Sequence, residues 1–154
     1  MEKKPLAKVK IRKIQKADLP ACARILKSAY RRPPHQEHLA PHTARQYLEE
    51  KYQHCRQHSF VAVDNQGDVI GFQLLYISAW TSGPQAILEE LAVDPKIQGQ
   101  GIGKRLLDHT HHYRRSHKVK SAMLWARKDP RLLKIYRKQG YRQADDFVIM
   151  FKIF

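Results

Sequence analysis

The apolar residues of the chain recur with two alternating periods, and these divide it into strands and helices. Val9, Ile11 and Ile14 alternate loosely and predict a strand over 8–14. Asp18 reads as a helix N-cap with Pro20 in the first turn. Leu19, Cys22, Ile25, Leu26 and Tyr30 then follow every three or four residues, as on the buried stripe of an amphipathic helix. Residues 31–41, with Pro33, Pro34 and Pro41, read as a loop. Tyr47, Leu48, Tyr52 and Cys55 mark a second helix over 43–58. Strands are predicted at 60–63 and 69–77 around the turn Asn65-Gln66-Gly67-Asp68, and another at 87–93, closed by Asp94-Pro95. Ile102, Leu106, Leu107, Thr110 and Tyr113 share one face of a helix over 102–117. A strand at 121–126 and a helix over 130–138, stopped by Gly140, come next. Phe147, Ile149, Phe151 and Ile153 alternate through a predicted final strand at 147–154. The order β-α-α-β-β-β-α-β-α-β, with antiparallel strands ahead of two strand–helix units, predicts a mixed α/β (α+β) sheet flanked by helices. With 154 residues and no internal repeat or linker, the chain reads as one domain.

Charge adds a second constraint. Lys and Arg number 29 against 14 Asp and Glu, a formal net charge of +15. The 42% apolar content excludes a disordered basic tail, so this is a folded domain whose field attracts polyanions. The excess is uneven. Residues 95–142 carry fourteen Lys and Arg against only Asp108 and Asp129, which is +12 of the total. Met1 to Lys13 is Lys-rich, but no apolar stretch of about 7–15 residues follows, so no signal peptide is expected. No run nears the roughly 20 apolar residues of a membrane helix. A cytoplasmic protein is expected, with Cys22 and Cys55 as two reduced, buried thiols.

The most informative segment runs from Leu91 to Lys104. It is a strand, a turn and a helix entry spaced by Gly99, Gly101 and Gly103. Glycines let backbone N–H groups approach a phosphate, and the helix N-terminus supplies unpaired donors and a positive dipole end. Gly103-Lys104 is followed by Arg105 instead of Ser or Thr, so the segment is not a P-loop, and the glycine spacing is not that of the dinucleotide fingerprint.

Gln98-Gly99-Gln100-Gly101-Ile102-Gly103 resembles the Q/R-x-x-G-x-G/A signature of the GNAT superfamily of N-acetyltransferases. Leu91-Ala92-Val93-Asp94-Pro95 looks like that family's fourth strand and its exit. Residues 135–141, with Tyr136, Gly140 and Tyr141, are similar to its Y-x-x-x-G-F segment. The resemblance implies a central mixed sheet and acetyl-CoA as the donor. Leu91, Ala92 and Val93 would pair by backbone with the pantetheine arm, and Gln98, Gly99, Gln100, Gly101, Ile102, Gly103 and Lys104 would surround the pyrophosphate. Asp129 stands where many members carry Asn, and a carboxylate there accepts hydrogen bonds but does not donate them. Arg114, Arg115, Lys118 and Lys120 would fall near the adenine end of the cofactor. Dimers through C-terminal strands are common in the family, so a homodimer is compatible with the final strand.

Acetyl transfer to a primary amine needs a base, because an alkylammonium of pKa about 10 is only about one part in a thousand neutral at pH 7. Glu89 and Glu90 are the candidates; adjacent in a strand, they are expected on opposite faces. Leu88-Glu89-Glu90-Leu91 resembles a stretch of the diamine acetyltransferases in which the Glu matching Glu89 is the proposed base. Tyr136, by the same kind of resemblance, would be the acid that meets the leaving thiolate. His109, His111, His112 and His117, like His38 and His42, lack accompanying Cys or acid at ligand spacing, so no metal is expected. The acceptor is a small amine or a protein amine; the positive field disfavours a polycation and fits an amine on an acidic peptide. No membrane partner is expected. Nucleic acid stands as the alternative reading, a non-catalytic basic module, and no aromatic-interleaved basic motif supports it.

Overall fold

The computed structural model describes residues 8–154. The Lys-rich stretch noted above therefore lies, up to residue 7, outside the described residues. Five strands form one mixed sheet in the order β1-β2-β3-β4-β5: β1 (Lys10–Lys13), β2 (Phe60–Val63), β3 (Val69–Ser78), β4 (Gln85–Val93) and β5 (Ser121–Leu124). The first three junctions are antiparallel and β4–β5 is parallel, as the strand–helix–strand unit around the third helix requires. The helices are α1 (Leu19–Tyr30), α2 (Pro41–Cys55), α3 (Ile102–Tyr113) and α4 (Pro130–Lys138).

Both faces of the sheet are covered. On one, Cys22, Leu26 and Leu48 of α1 and α2 pack on Phe72, Leu74 and Ala92. On the other, Ile102 and Leu106 of α3 pack on Phe60, Ala62 and Ile70. Leu107 joins Leu75, Ala86 and Leu88 in a third cluster against which Tyr136 packs. Each large side chain buried in these layers contributes about 1.5–3 kcal/mol. Gly71 on β3 sets how deeply α3 seats. A Cβ there would stand 3.2 Å from Ala92 O and 3.3 Å from Ile102 Cγ2.

Local chemistry explains several boundaries. In the β2–β3 turn, Asp64 Oδ1 accepts the N–H groups of Gln66 and Asp68, both at 2.9 Å, while Gly67 takes φ +90°. Asp18 does precede α1, but its carboxylate does not cap it. It receives both guanidinium nitrogens of Arg12 at 2.8 Å and the Gln15 N–H at 2.7 Å. α2 starts two residues earlier than the spacing suggested, because Pro41 occupies the first helical position. α3 ends at Tyr113, four residues short of the expected 117.

The predicted last strand does not form: 147–154 is irregular, with Phe151 90% and Ile153 95% exposed. The observed order therefore ends on α4. Val148 and Met150 fill the positions between the alternating residues, so the segment is apolar on both faces and no half-buried register is specified. β5 is the terminal strand of the sheet, and among the described residues no strand pairs with its outer edge.

Candidate active site

β4 and β5 separate at the centre of the molecule. Their parallel ladder joins Gln85–Leu88 to Ser121–Leu124 and stops there, so among the described residues β4 from Glu89 onward has no strand neighbour on that side. The register fixes which backbone groups face the opening. Asp94 N–H donates to Ile70 O at 2.9 Å, which makes that pair and Ala92–Phe72 the hydrogen-bonded pairs of the β3–β4 ladder. Leu91 and Val93 are then turned outward. The backbone of Ala92 is engaged by Phe72, so of the three residues expected along a pantetheine arm, two face the opening and Ala92 does not. Val93 O accepts from Gln98 Nε2 at 3.0 Å, which leaves the Val93 N–H at the open edge.

The glycine loop follows directly. Lys96 N–H donates to Asp94 Oδ1 at 2.9 Å and Ile97 N–H donates to Asp94 O at 3.0 Å. Gly99 and Gly101 take φ +83° and +79°, a left-handed conformation that a side chain would oppose. Gly101 is the N-cap of α3, and the first helical N–H to find a backbone acceptor is that of Arg105, on Gly101 O. The N–H groups of Ile102, Gly103 and Lys104 thus form the unpaired first turn. Lys104 leans on Asp108 at 2.6 Å, and Gln100 Oε1 is buried without a partner. This donor set, at the end of an aligned helix, fits a pyrophosphate.

The two glutamates do not split between faces. The β3–β4 register steps between Leu74, opposite Glu90, and Leu75, opposite Leu88, so Glu89 is the extra residue of a bulge. Both carboxylates consequently reach α2. Glu89 pairs with Lys51, whose ammonium is held above its usual range by that contact. Glu90, 8% exposed, accepts Tyr30 Oη at 2.9 Å, Tyr47 Oη at 3.2 Å and, through its other oxygen, the outward Leu91 N–H at 3.3 Å. Burial raises the Glu90 carboxyl above the usual carboxylate range, while the hydrogen bonds from Tyr30, Tyr47 and Leu91 and the charge of Lys51 pull against it. Burial, and after it the Glu90 charge, pushes both phenols up, so Tyr30 and Tyr47 are neutral donors at any working pH. His35 stacks on Tyr30 with ring centres 4.2 Å apart. These tyrosines lie 60 and 43 residues from Glu90, and along the chain each marks only the apolar face of its helix.

Tyr136 enters from α4 across the opening. Burial, then the Glu90 charge and Tyr141, pushes its hydroxyl up to about 12. Asp129 is the N-cap of α4, its Oδ1 accepting Arg131 and Leu132 N–H at 3.0 Å. Arg127 pairs with Glu37, tying the β5–α4 loop to the α1–α2 loop.

A family model described as an acetyltransferase (GNAT) domain matches residues 55–143, more than half of the chain. The chain belongs to the GNAT family of N-acetyltransferases. Solved structures share the fold of this GNAT domain. A possible acetyltransferase from Clostridium difficile 630 superposes with TM-score 0.79 at 12% identity, covering 95% of this chain and 98% of its own. A protein from Pyrococcus horikoshii OT3 gives 0.76 at 23% identity, covering 92% and 94%. An aminoglycoside acetyltransferase from an uncultured soil metagenomic sample, solved with sisomicin, gives 0.68 at 21% identity, covering 95% and 96%. No curated protein matches the chain.

The remaining sequence candidates lie elsewhere. His109 packs edge-on to Phe60, and His112 Nδ1 lies 2.8 Å from Asp108 O. Among the described residues no group of three or more His, Cys, Asp or Glu is placed to hold a metal ion. Cys22 and Cys55 are free and buried. No helix among the described residues is long and apolar enough to cross a membrane. Arg114, Arg115, Lys118 and Lys120 do not adjoin the glycine loop. They follow the C-terminus of α3, about 18 Å along the helix from its first turn.

Proposed function

We propose that this domain transfers an acetyl group from acetyl-CoA directly to a primary amine, with Glu90 as the proton acceptor. The single observation that carries the reading is the meeting, at one splayed strand, of an unpaired helix N-terminus, an outward Val93 N–H and the buried Glu90 carboxylate. Bound acetyl-CoA supplies an activated thioester. Gln98, Gly99, Gln100, Gly101, Ile102, Gly103 and Lys104 hold its pyrophosphate, and Leu91 and Val93 align the arm by backbone contacts. Val93 N–H donates to the carbonyl oxygen as negative charge develops on it.

Glu90 suits the base role better than Glu89. Its raised pKa brings it toward the working range of a general base, and its contact with Leu91 N–H places one oxygen at the opening. Glu89 is already neutralised by Lys51. The amine loses a proton to Glu90 as the N–C bond forms. The C–S bond then breaks, and the thiolate meets the Tyr136 hydroxyl. A hydroxyl near 12 facing a thiol near 8.5 makes full proton transfer uphill by about 5 kcal/mol, so Tyr136 stabilises the thiolate as a hydrogen-bond donor. Asp129 supports this arrangement by capping the helix that carries Tyr136. The acceptor is an amine on a neutral or acidic molecule, because a +15 field repels polycations at long range.

The test is a thiol-release assay with acetyl-CoA and a panel of small amines, polyamines and peptide amines, beside thermal melting with acetyl-CoA. Turnover with a neutral or acidic acceptor supports the reading. Absence of both turnover and a rise in melting temperature overturns it.

A further inference from the structure

Four cations of the basic stretch, Arg114, Arg115, Lys118 and Lys120, lie away from the glycine loop. At the far end of α3 an open cavity of about 520 Å³ is lined by Pro84, Arg114, Arg115, Lys118, Val119 and Lys120. The four ion pairs formed among the described residues use none of these cations. Lys120 is fixed in place: its N–H bonds Pro84 O at 2.8 Å, and its side chain lies over Gly83, where a Cβ would stand 2.7 Å from Lys120 Cγ. Along Arg114, Val119 and Lys120 this cavity meets a larger one of about 1160 Å³. The larger cavity adds Arg142 and the rings of His111, Tyr113 and Tyr141, with Asp145 and Asp146 also on its wall. Tyr113 is held by His117, stacked at 4.0 Å, and by His58 Nδ1 at 3.0 Å from its hydroxyl.

We propose that this track of unpaired cations and ring walls, at the C-terminal end of α3, binds single-stranded nucleic acid independently of the acetyl-transfer site. The cations meet phosphates along a strand, and the rings give bases flat surfaces on which to stack. An acidic peptide would use the cations and leave the rings idle. A duplex keeps its bases stacked inside and presents only phosphates to a concave wall. A lone phosphate would leave most of the track unfilled.

The experiment is fluorescence anisotropy of a labelled 15-nucleotide single-stranded RNA over a salt series. It compares the wild-type chain, the R114Q/R115Q/K118Q/K120Q variant and a control of equal net charge, R24Q/K27Q/R31Q/R32Q on and beside α1. The track variant is expected to bind at least tenfold more weakly, with the slope of log K against log salt reduced by about 3. The control is expected to change affinity less than threefold. Melting with acetyl-CoA confirms folding and separates the sites, because the track variant should keep the wild-type shift. Absence of wild-type binding, equal losses in track variant and control, or equal affinity for a duplex or a polyglutamate peptide each overturns the proposal. Loss of the acetyl-CoA shift in the folded track variant would assign the cations to the cofactor and overturn it as well.

Discussion

Tyr30 and Tyr47 give the base assignment its sharpest test. Each donates to the same oxygen of Glu90, so replacing either by Phe keeps the ring and removes one bond that favours the charged carboxylate. A hydrogen bond to a charged group is worth about 1.5–3 kcal/mol, and one pKa unit is about 1.36 kcal/mol. The Tyr47 bond, at 3.2 Å, belongs at the low end of that range, so Tyr47→Phe should raise the Glu90 pKa by about one unit. The 2.9 Å Tyr30 bond is worth somewhat more, about 1.5 units. The other groups facing Glu90 are Leu91 N–H, Lys51 and Tyr136, and neither substitution alters them. A base must be ionised to accept a proton, so the acid limb of kcat/KM should move to higher pH by these amounts, while the plateau at high pH stays near the wild-type value. The assay is thiol release from pH 5 to 9 with one acceptor. An acid limb that stays in place in both variants would refute Glu90 as the base. Loss of the limb altogether in Glu89→Gln, with it retained in Glu90→Gln, would transfer the role to Glu89.

Other consequences are equally direct. Tyr136→Phe should lower kcat at least tenfold with little change in the acetyl-CoA melting shift; unchanged kcat would remove the hydroxyl from the reaction. Burial pushes Asp18 up, but the bonds from Arg12 and Gln15 outweigh it and hold the carboxyl below its usual value. Its stabilisation is present above about pH 4 and is lost as pH falls through the lowered native pKa. Asp18→Asn should therefore cost about 2 kcal/mol in urea unfolding at pH 7, a difference that shrinks toward pH 3. Burial raises the thiols of Cys22 and Cys55 to about 12 and about 11, so neither should react with a disulfide reagent at pH 7.5 until the chain is unfolded, when both do. Gly101→Ala, which forces a side chain into φ +79°, should destabilise the domain by about 1 kcal/mol and weaken the acetyl-CoA melting shift.

What was legible in the chain was what local spacing specifies. Gly99, Gly101 and Gly103 announce a helix entry because backbone freedom is needed there whatever surrounds it, and Cys22, Ile25 and Leu26 mark a face by helical period alone. The bulge at Glu89 was not legible, because it exists only in the register between β4 and Leu74–Leu75 of β3. For the same reason Tyr30 and Tyr47 gave no sign of sharing one carboxylate: the signal was two tyrosines on apolar faces, and only packing brings them together. The misread strand at 147–154 is the converse. Apolar alternation states a wish to be buried, but Val148 and Met150 make both faces apolar, so no register on an edge is specified. Arg114 to Lys120 were close in sequence to the glycine loop, yet a three-turn helix carries them to the other end.

Gly71 takes no part in the open edge or in the helix turn that would face a phosphate, but it lies against Val93 and Ile102 and so spaces the two. With no side chain there, Ile102 rests against β3 while Val93 lies alongside, so the N-terminus of α3 and the outward Val93 N–H are held at one fixed separation. Any larger residue must lift that end of α3 by a few tenths of an ångström. The domain thus contains a ruler between its two ends of the donor, and the length it measures is set by a missing methyl group on the strand beneath.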